Sequence, residues 1–489
     1  MYDWANSAYA TIIMSAVYPI YFAGVAKANG IPGDVWWGYA TSAASLLIAV
    51  ISPFIGAIGD FKGMKKRMLV LFLAVGVIFT LLMAVTDHPA LMLAGYALSF
   101  IGFEGSILFY DSFLTDVTTR ERMDRISSYG YAMGYIGGST IPFVLSIALI
   151  LFGSRIGIGS ALAVKLSVVL TALWWALFSI PLLRNIHQIH YVALPPAGLI
   201  RNALGNLRQT AGSIFHNKKL LFFMIAYFFY IDGIGTVITM STSYGSTLGL
   251  GSTGMILALM LTQILAVPFS ILFGRLSGRV GTLKMIRAGV LVYMLICLLG
   301  FYMGFSLEPQ QKAYVGAYHH AVAAANVTLS EPTLTEIQTK GEALLSRPDR
   351  ADAFSAMIAD LAKGKTQQEQ AKLKKLKTSV EQFLTDPHPA EAFNNAIRSA
   401  TILFWILAIL VSTSQGGIQA LSRSYFSKLI PPERSNEHFG FFDIFGKFAS
   451  VIGPLLYSFS ASLTGRSSLG ILSLLLLFLI GFAALLKSK

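Results

Sequence analysis

The chain has 489 residues, of which 55% are hydrophobic and only 12% charged, with a formal net charge of +13. Ordinary soluble domains carry about 25% charged residues, whereas apolar runs long enough to cross a hydrocarbon core about 30 Å thick recur along this chain. These numbers exclude a soluble enzyme, a fibrous protein and a disordered chain, and the unbroken runs speak against an outer-membrane barrel, whose strands alternate over short segments.

Twelve apolar spans are predicted. The first six lie at roughly 3–26, 35–59, 68–86, 90–114, 127–152 and 161–183. The first is not a secretory signal, because it lacks a basic n-region and a small-residue cleavage site. A basic linker, 184–219, follows, and its Leu199–Phe215 stretch mixes apolar residues with Arg201 and Arg208, as a surface-lying helix does. Spans seven to nine are 220–244, 252–274 and 285–305, and spans ten to twelve are 396–421, 439–463 and 468–486. The expected fold is an all-α polytopic membrane protein. Residues 1–183 form one six-helix bundle and 184–219 a cytoplasmic linker. Residues 220–305 and 396–489 form the second bundle.

The stretch 306–395 breaks the apolar pattern, with 10 Lys and Arg and 11 Asp and Glu. It reads as a small soluble insertion with helices near 333–346, 349–363 and 367–385. Ser346–Asp349 and Thr366–Glu369 both fit a capping box, in which a hydroxyl caps orphan N–H groups and an acid reaches back. Orientation follows from Lys and Arg counts in the short loops. Loops after even-numbered spans, with the C-terminus, hold 21, against three (Lys27, Arg155 and Arg466) on the other side. Both termini are expected to be cytoplasmic and the insertion extracytoplasmic. The positive charge therefore marks a membrane face rather than a nucleic-acid groove.

The chain reads as a duplication. At a constant offset of 312, Gly105 matches Gly417, Ser112 matches Ser424, Glu121-Arg122 matches Glu433-Arg434, Gly134 matches Gly446 and Pro142 matches Pro454. Earlier, Gly56, Gly63 and Lys66 match Gly274, Gly281 and Lys284 at offset 218, so the second half carries 94 extra residues between spans nine and ten. Asn6, Met14, Ser15 and Tyr18 match Asp232, Met240, Ser241 and Tyr244 at offset 226. That offset puts the mate of the seventh span's first turn ahead of Met1, which suggests a late start codon or a trimmed chain. Two parallel six-helix repeats joined by a linker form a transporter architecture, with solute bound at their interface near the midplane.

The loop Gly56-Ala-Ile-Gly-Asp60-Phe-Lys62-Gly63-Met-Lys65-Lys66-Arg67 resembles the signature loop of the major facilitator superfamily, and Gly274–Lys284 is a weaker echo with Gly278 in the place of the acid. The opening Tyr2-Asp3-Trp4-Ala5-Asn6-Ser7-Ala8-Tyr9, together with Tyr129–Gly138 and Phe439–Asp443, is similar to a branch of that superfamily related to the autophagy-linked vacuolar amino-acid effluxers. The resemblance covers the spans but not 306–395. It implies export of small organic solutes, amino acids foremost, through a cavity lined by spans one, four, seven and ten.

Ionisable residues inside spans are costly, about 2.5–3.5 kcal/mol each at the bilayer centre on insertion scales, and mark proton relays or substrate contacts. Asp232 lies near the middle of the seventh span. Glu104 and Asp111 are seven residues apart on the fourth and share a face. Asp232 and Glu104 are the candidates for proton coupling. The alternative for each is a structural ion pair or a water-filled pocket. Asn6, Tyr9, Gln415 and Gln419 are the polar candidates for solute contact, with interhelical bonding the alternative for the two amides. Asp60, Arg67, Asp111 and Arg423 are candidate gate residues. Asp111 and Arg423 occupy equivalent repeat positions with opposite charge. They either pair across the pseudo-twofold or pair locally, with the Arg67 cluster and with lipid phosphate respectively.

No cofactor is implied. The lone Cys297 and the scattered His187, His190, His319 and His320 make no metal set, and no Gly-rich GKS/T loop for ATP is present. The function expected is a secondary transporter of a small organic solute, proton-coupled and exporting, in the bacterial inner membrane, or in the vacuolar membrane if the source is eukaryotic. Its partners would be the solute, protons and the lipid bilayer, with no nucleic acid. The competing reading is a non-transporting anchor that presents 306–395 to an extracytoplasmic partner.

Overall fold

The computed structural model describes residues 1–193, 199–342, 344, 345 and 350–488. Backbone N–H and C=O groups in hydrocarbon must be satisfied within the segment, so apolar runs of this length fold as helices. Among the described residues, twelve helices are long and apolar enough to cross a membrane. The first six are α1 (Tyr2–Ala28), α2 (Gly33–Gly59), α3 (Met64–Met83), α4 (Pro89–Val117), α5 (Met123–Ile156) and α6 (Ser160–Asn185). The linker helix α7 (Leu199–His216) follows. The second half continues with α8 (Lys218–Thr247), α9 (Ser252–Val280) and α10 (Thr282–Ala324). After α10 come α11 (Glu331–Glu342), α12 (Arg350–Leu361) and α13 (Gln367–Thr385). The spans resume with α14 (Pro387–Leu429), α15 (Pro432–Thr464) and α16 (Ser467–Lys487).

Two separate apolar cores define two bundles. One runs from Tyr2 to Ile186 and packs Tyr9, Phe103 and Trp175 at its centre. The other runs from Ile214 to Leu485. Leu46, Leu47, Leu71, Ile78, Leu177 and Leu455 point outward and are 48% or more exposed. A bilayer, whose tails are as apolar as leucine, is the solvent that tolerates such a surface. The helices α1 and α5 each carry a π-helical stretch, Ala10–Ala16 and Tyr135–Thr140, where they cross. Gly137 lets the Trp4 ring lie against the α5 backbone there.

The charged segment differs from its expected form at both ends. α10 and α14 are 43 residues each and run unbroken through positions 305 and 396, where the apolar composition ends. At 1.5 Å per residue each is about 65 Å long, roughly twice a hydrocarbon core. The helical pattern persists because their inward faces stay apolar after charges appear on the outward ones. Tyr318 and Val322 of α10, Phe354 and Ile358 of α12, four residues of α13 and Phe393 of α14 bury together. Tyr314 stacks on Phe393 with ring centroids 5.0 Å apart. The insertion is thus a helical head built onto two extended spans. The Thr366–Glu369 capping box is present with both of its hydrogen bonds, while the Ser346–Asp349 box falls outside the described residues.

Candidate functional site

Among the described residues, most hydrogen bonds and ion pairs that cross between the halves gather at the end carrying both termini. Asp60 follows the last turn of α2. Gly56, four residues earlier, has no side chain because a Cβ there would strike the Asn436 carbonyl of α15. Gly274, its repeat mate on α9, lies as tightly against Ser128 and the Asp124 carbonyl of α5. At the first seam Asp60 Oδ1 accepts from the Asn436 backbone N–H (2.9 Å) and Nδ2 (2.7 Å), and Oδ2 from the Glu437 N–H (3.0 Å). One half thereby caps a helix N-terminus of the other, satisfying orphan donors and complementing the helix dipole. Lys65, wholly buried, donates from Nζ to Asp116 Oδ2 (2.7 Å), Ser112 O (3.1 Å) and Ser435 Oγ (2.9 Å), the last across the seam.

The linker braces this corner. The Val192 N–H donates to Asp60 O (2.8 Å), and the Ile189 and His190 N–H groups donate to Asp116 Oδ1 at 3.1 and 2.9 Å. Ala203 and Leu207 of α7 bury against Ala57 and Phe61. At the second seam the acid has changed sides. Gly278 stands where the repeat would place Asp60, and Asp124, repeat mate of Asn436, supplies the carboxylate. Asp124 Oδ1 accepts from Ser424 Oγ and Lys428 Nζ, both at 2.6 Å, and Oδ2 from Thr282 Oγ1 at 2.6 Å.

Burial pushes the Asp60 carboxyl up to about 7, against the pull of Lys65 and the three N–H donors. With the seam apart and the loop in water, the group returns toward about 3.9. The closed form therefore holds a proton that the open form releases. Its advantage is full below about 4 and is lost as pH rises through about 7, at up to about 1.4 kcal/mol per unit. Crosslinking of a cysteine pair across the α2–α15 seam should rise as pH falls from 7.5 to 5.5, and Asp60→Asn should flatten that response. An unchanged slope in the variant would refute the assignment.

Arg423 of α14 enters the first half and is 5% exposed. Nη1 donates to Asp111 Oδ1 at 2.7 Å, Nε to Ser127 Oγ at 2.9 Å and Nη2 to Ser127 O at 3.1 Å, with Asp3 Oδ2 3.7 Å from Nη2. The guanidinium lies over the Tyr110 and Tyr131 rings, 5.4 and 4.8 Å from their centroids. Of the two arrangements open from the sequence, the structure has the pair across the axis. Arg67 is exposed, and no carboxylate among the described residues pairs with it. The buried basic residue of that loop is Lys65, two positions earlier.

Deeper in the membrane, Glu104 of α4 meets Lys447 of α15, with Oε2 to Nζ 3.3 Å. Lys447 also pairs with Asp443 one turn earlier at 2.6 Å. The side chains stay 11–20% exposed, so this cluster is within reach of solvent. Asp232 does not join it. Its two oxygens accept from the Gly453 N–H at 3.0 and 2.8 Å. Gly453 is six residues beyond Lys447, about 9 Å along the axis. Tyr9 is buried in the first bundle, hydrogen-bonded to Ser99 at 2.6 Å and stacked on Phe103. Asn6 is buried on the same helix. Gln415 borders a cavity of about 80 Å³ inside the second bundle, walled by α8, α9, α10, α14 and Ile471. Gln419 is half-buried one turn on. Of the six candidates for solute contact or proton coupling, Glu104 alone among the described residues sits in an ion cluster between the halves. Sequence reasoning passed over Lys447, although an acid and a lysine four apart within an apolar span are the signal that finds it.

The family model described as "Vacuole effluxer Atg22 like" matches residues 37–119, 115–321 and 399–488. This chain belongs to the Atg22-like branch of the major facilitator superfamily. It is 37% identical over 492 residues to the uncharacterized MFS-type transporter YxiO of Bacillus subtilis, covering 99% of this chain and 92% of that one. Autophagy-related protein 22 of Cryptococcus neoformans is 28% identical over 182 residues, 35% of this chain and 31% of its own length. The fold is that of the fucose transporter FucP, at a TM-score of 0.53 and 11% identity, covering 100% of this chain and 96% of that one. The Atg22-like chain described here is thus a multi-pass membrane transporter and not an enzyme. The family match skips 322–398, which lies mostly in the head and the start of α14.

Proposed function

We propose that the protein exports amino acids or similar small organic solutes in exchange for protons, by alternating access. Residues 1–183 would rock against 220–305 and 396–489 in the cell membrane, with both termini cytoplasmic. The carrying observation is the Glu104–Lys447 pair, an acid and a base 3.3 Å apart between the halves, inside the membrane and partly exposed. A structural ion pair locked within one bundle would not be remade on each cycle, whereas one that spans the rocking interface is. The Asp60 and Arg423 seams hold the halves together at the terminal end, the arrangement an outward-facing state needs if an exported solute is to leave at the other end. Asp60, Asp111 and Arg423 act as the cytoplasmic gate. Asp232, tied to the α15 backbone, is the second proton candidate. The family description and the Bacillus relative support export and a cell-membrane setting.

The test is uptake of a labelled amino-acid panel into proteoliposomes with and without an imposed pH gradient. Wild-type flux should rise with the gradient. Glu104→Gln should lose the gradient dependence, and Asp232→Asn reports whether the second acid contributes. Flux of every solute indifferent to the gradient would remove proton coupling, and no flux above empty vesicles would remove the amino-acid assignment.

A further inference from the structure

Lys447 lies between two carboxylates that belong to different moving bodies. Asp443 is on its own helix, α15, with Oδ2 2.6 Å from Nζ. Glu104 is on α4 of the other half, with Oε2 3.3 Å from the same nitrogen. The first contact survives any rigid-body motion of the halves, and the second survives none of appreciable size. One ammonium charge shared by two partly desolvated carboxylates leaves a net negative charge at the midplane, where charge is expensive. The division of Lys447 between them is therefore sensitive to anything that neutralises either acid. Among the described residues, the other titratable groups in electrostatic range of Glu104 are Tyr9 of α1 and Tyr96 of α4, neutral side chains at physiological pH. Lys447 supplies the cation that Glu104 meets.

We propose that Lys447 is the positioning residue through which the charge on Glu104 sets the separation of the two halves. When Glu104 is charged, Lys447 ties α15 to α4. When a proton or a solute cation neutralises Glu104, Lys447 passes to Asp443, and the central tie between the bundles is gone. The inference rests on the rocking-bundle reading of the previous section. It does not depend on which solute is carried or on whether the neutralising species is a proton.

The decisive experiment uses the full chain in lipid nanodiscs, at one pH and without solute. Spin labels on Ser154→Cys and Gly251→Cys report the separation of the halves at the end opposite the termini. Both positions are exposed, while the native Cys297 is buried. Glu104→Gln and Lys447→Gln should each change the ratio of the two distance populations by about fivefold or more. They should act in the same direction, and the double variant should go no further. Lys447→Arg should resemble wild type. Asp443→Asn should move the ratio the opposite way, because Asp443 then no longer competes with Glu104 for the Lys447 ammonium. A merely structural lysine would give no such reversal. A Lys447→Gln shift that adds to that of Glu104→Gln overturns the proposal, as does an Asp443→Asn shift of the same sign. Should Lys447→Gln fail to fold, the opposed signs of Glu104→Gln and Asp443→Asn decide alone. Failed transport with an intact reversal would count against the exporter assignment and leave the coupling standing.

Discussion

Replacing Arg423 by alanine should cost about 3–5 kcal/mol of the closed, folded state and abolish transport. Truncating one member of a buried pair strands the other charge without its partner. Here it strands Asp111, whose Oδ1 lies 2.7 Å from Arg423 Nη1, and leaves the Ser127 carbonyl without its guanidinium donor. Thermal unfolding of the purified protein measures the first loss and vesicle flux the second. The swap of Asp111→Arg with Arg423→Asp should recover part of both, because a cross-axis pair is restored while Asp3 and Ser127 lose their original partner. A swap no better than either single change would show that the two residues do not act as a pair.

Lys65→Met is expected to be of comparable size, about 3–5 kcal/mol by the same reasoning. It leaves the buried Asp116 carboxylate and the Ser435 hydroxyl without their ammonium. Its neighbours supply the control. Arg67→Met, at an exposed position of the same basic cluster, should fall within about 0.5 kcal/mol of wild type. Unfolding midpoints of the two variants side by side give the comparison. Equal effects would mean that the loop works by its summed charge and not through one buried lysine.

Much of the fold was legible before any coordinates. Apolar runs in hydrocarbon have one outcome, so the spans and their number followed from composition, and the 312-residue offset announced the two halves. The seam at the terminal end was half legible. The Asp111–Arg423 pair stands out because the repeat places opposite charges at equivalent positions, and Asp60 because it is the acid of the signature loop. Which loop lysine turns inward did not stand out. Lys65, Lys66 and Arg67 have the same chemistry, and their burial depends on where α15 crosses. Lys447 was hidden for a related reason, since its second partner lies 343 residues away on another bundle. Tyr9 misled in the other direction. A tyrosine on a first span looks like a cavity residue, but Ser99 and Phe103 hold it within its own core. The break expected at position 305 failed because charge composition marks where water begins, not where a helix ends.

That unbroken helix has a mechanical meaning. α14 carries Arg423 near one end and Phe393, part of the apolar core of the head, near the other. A rigid rod carries to one end whatever tilt is imposed at the other. The head is therefore a pointer. On the rocking-bundle reading proposed above, each opening and closing at the terminal face would be written into the position of a helical body at the opposite end of the bundle.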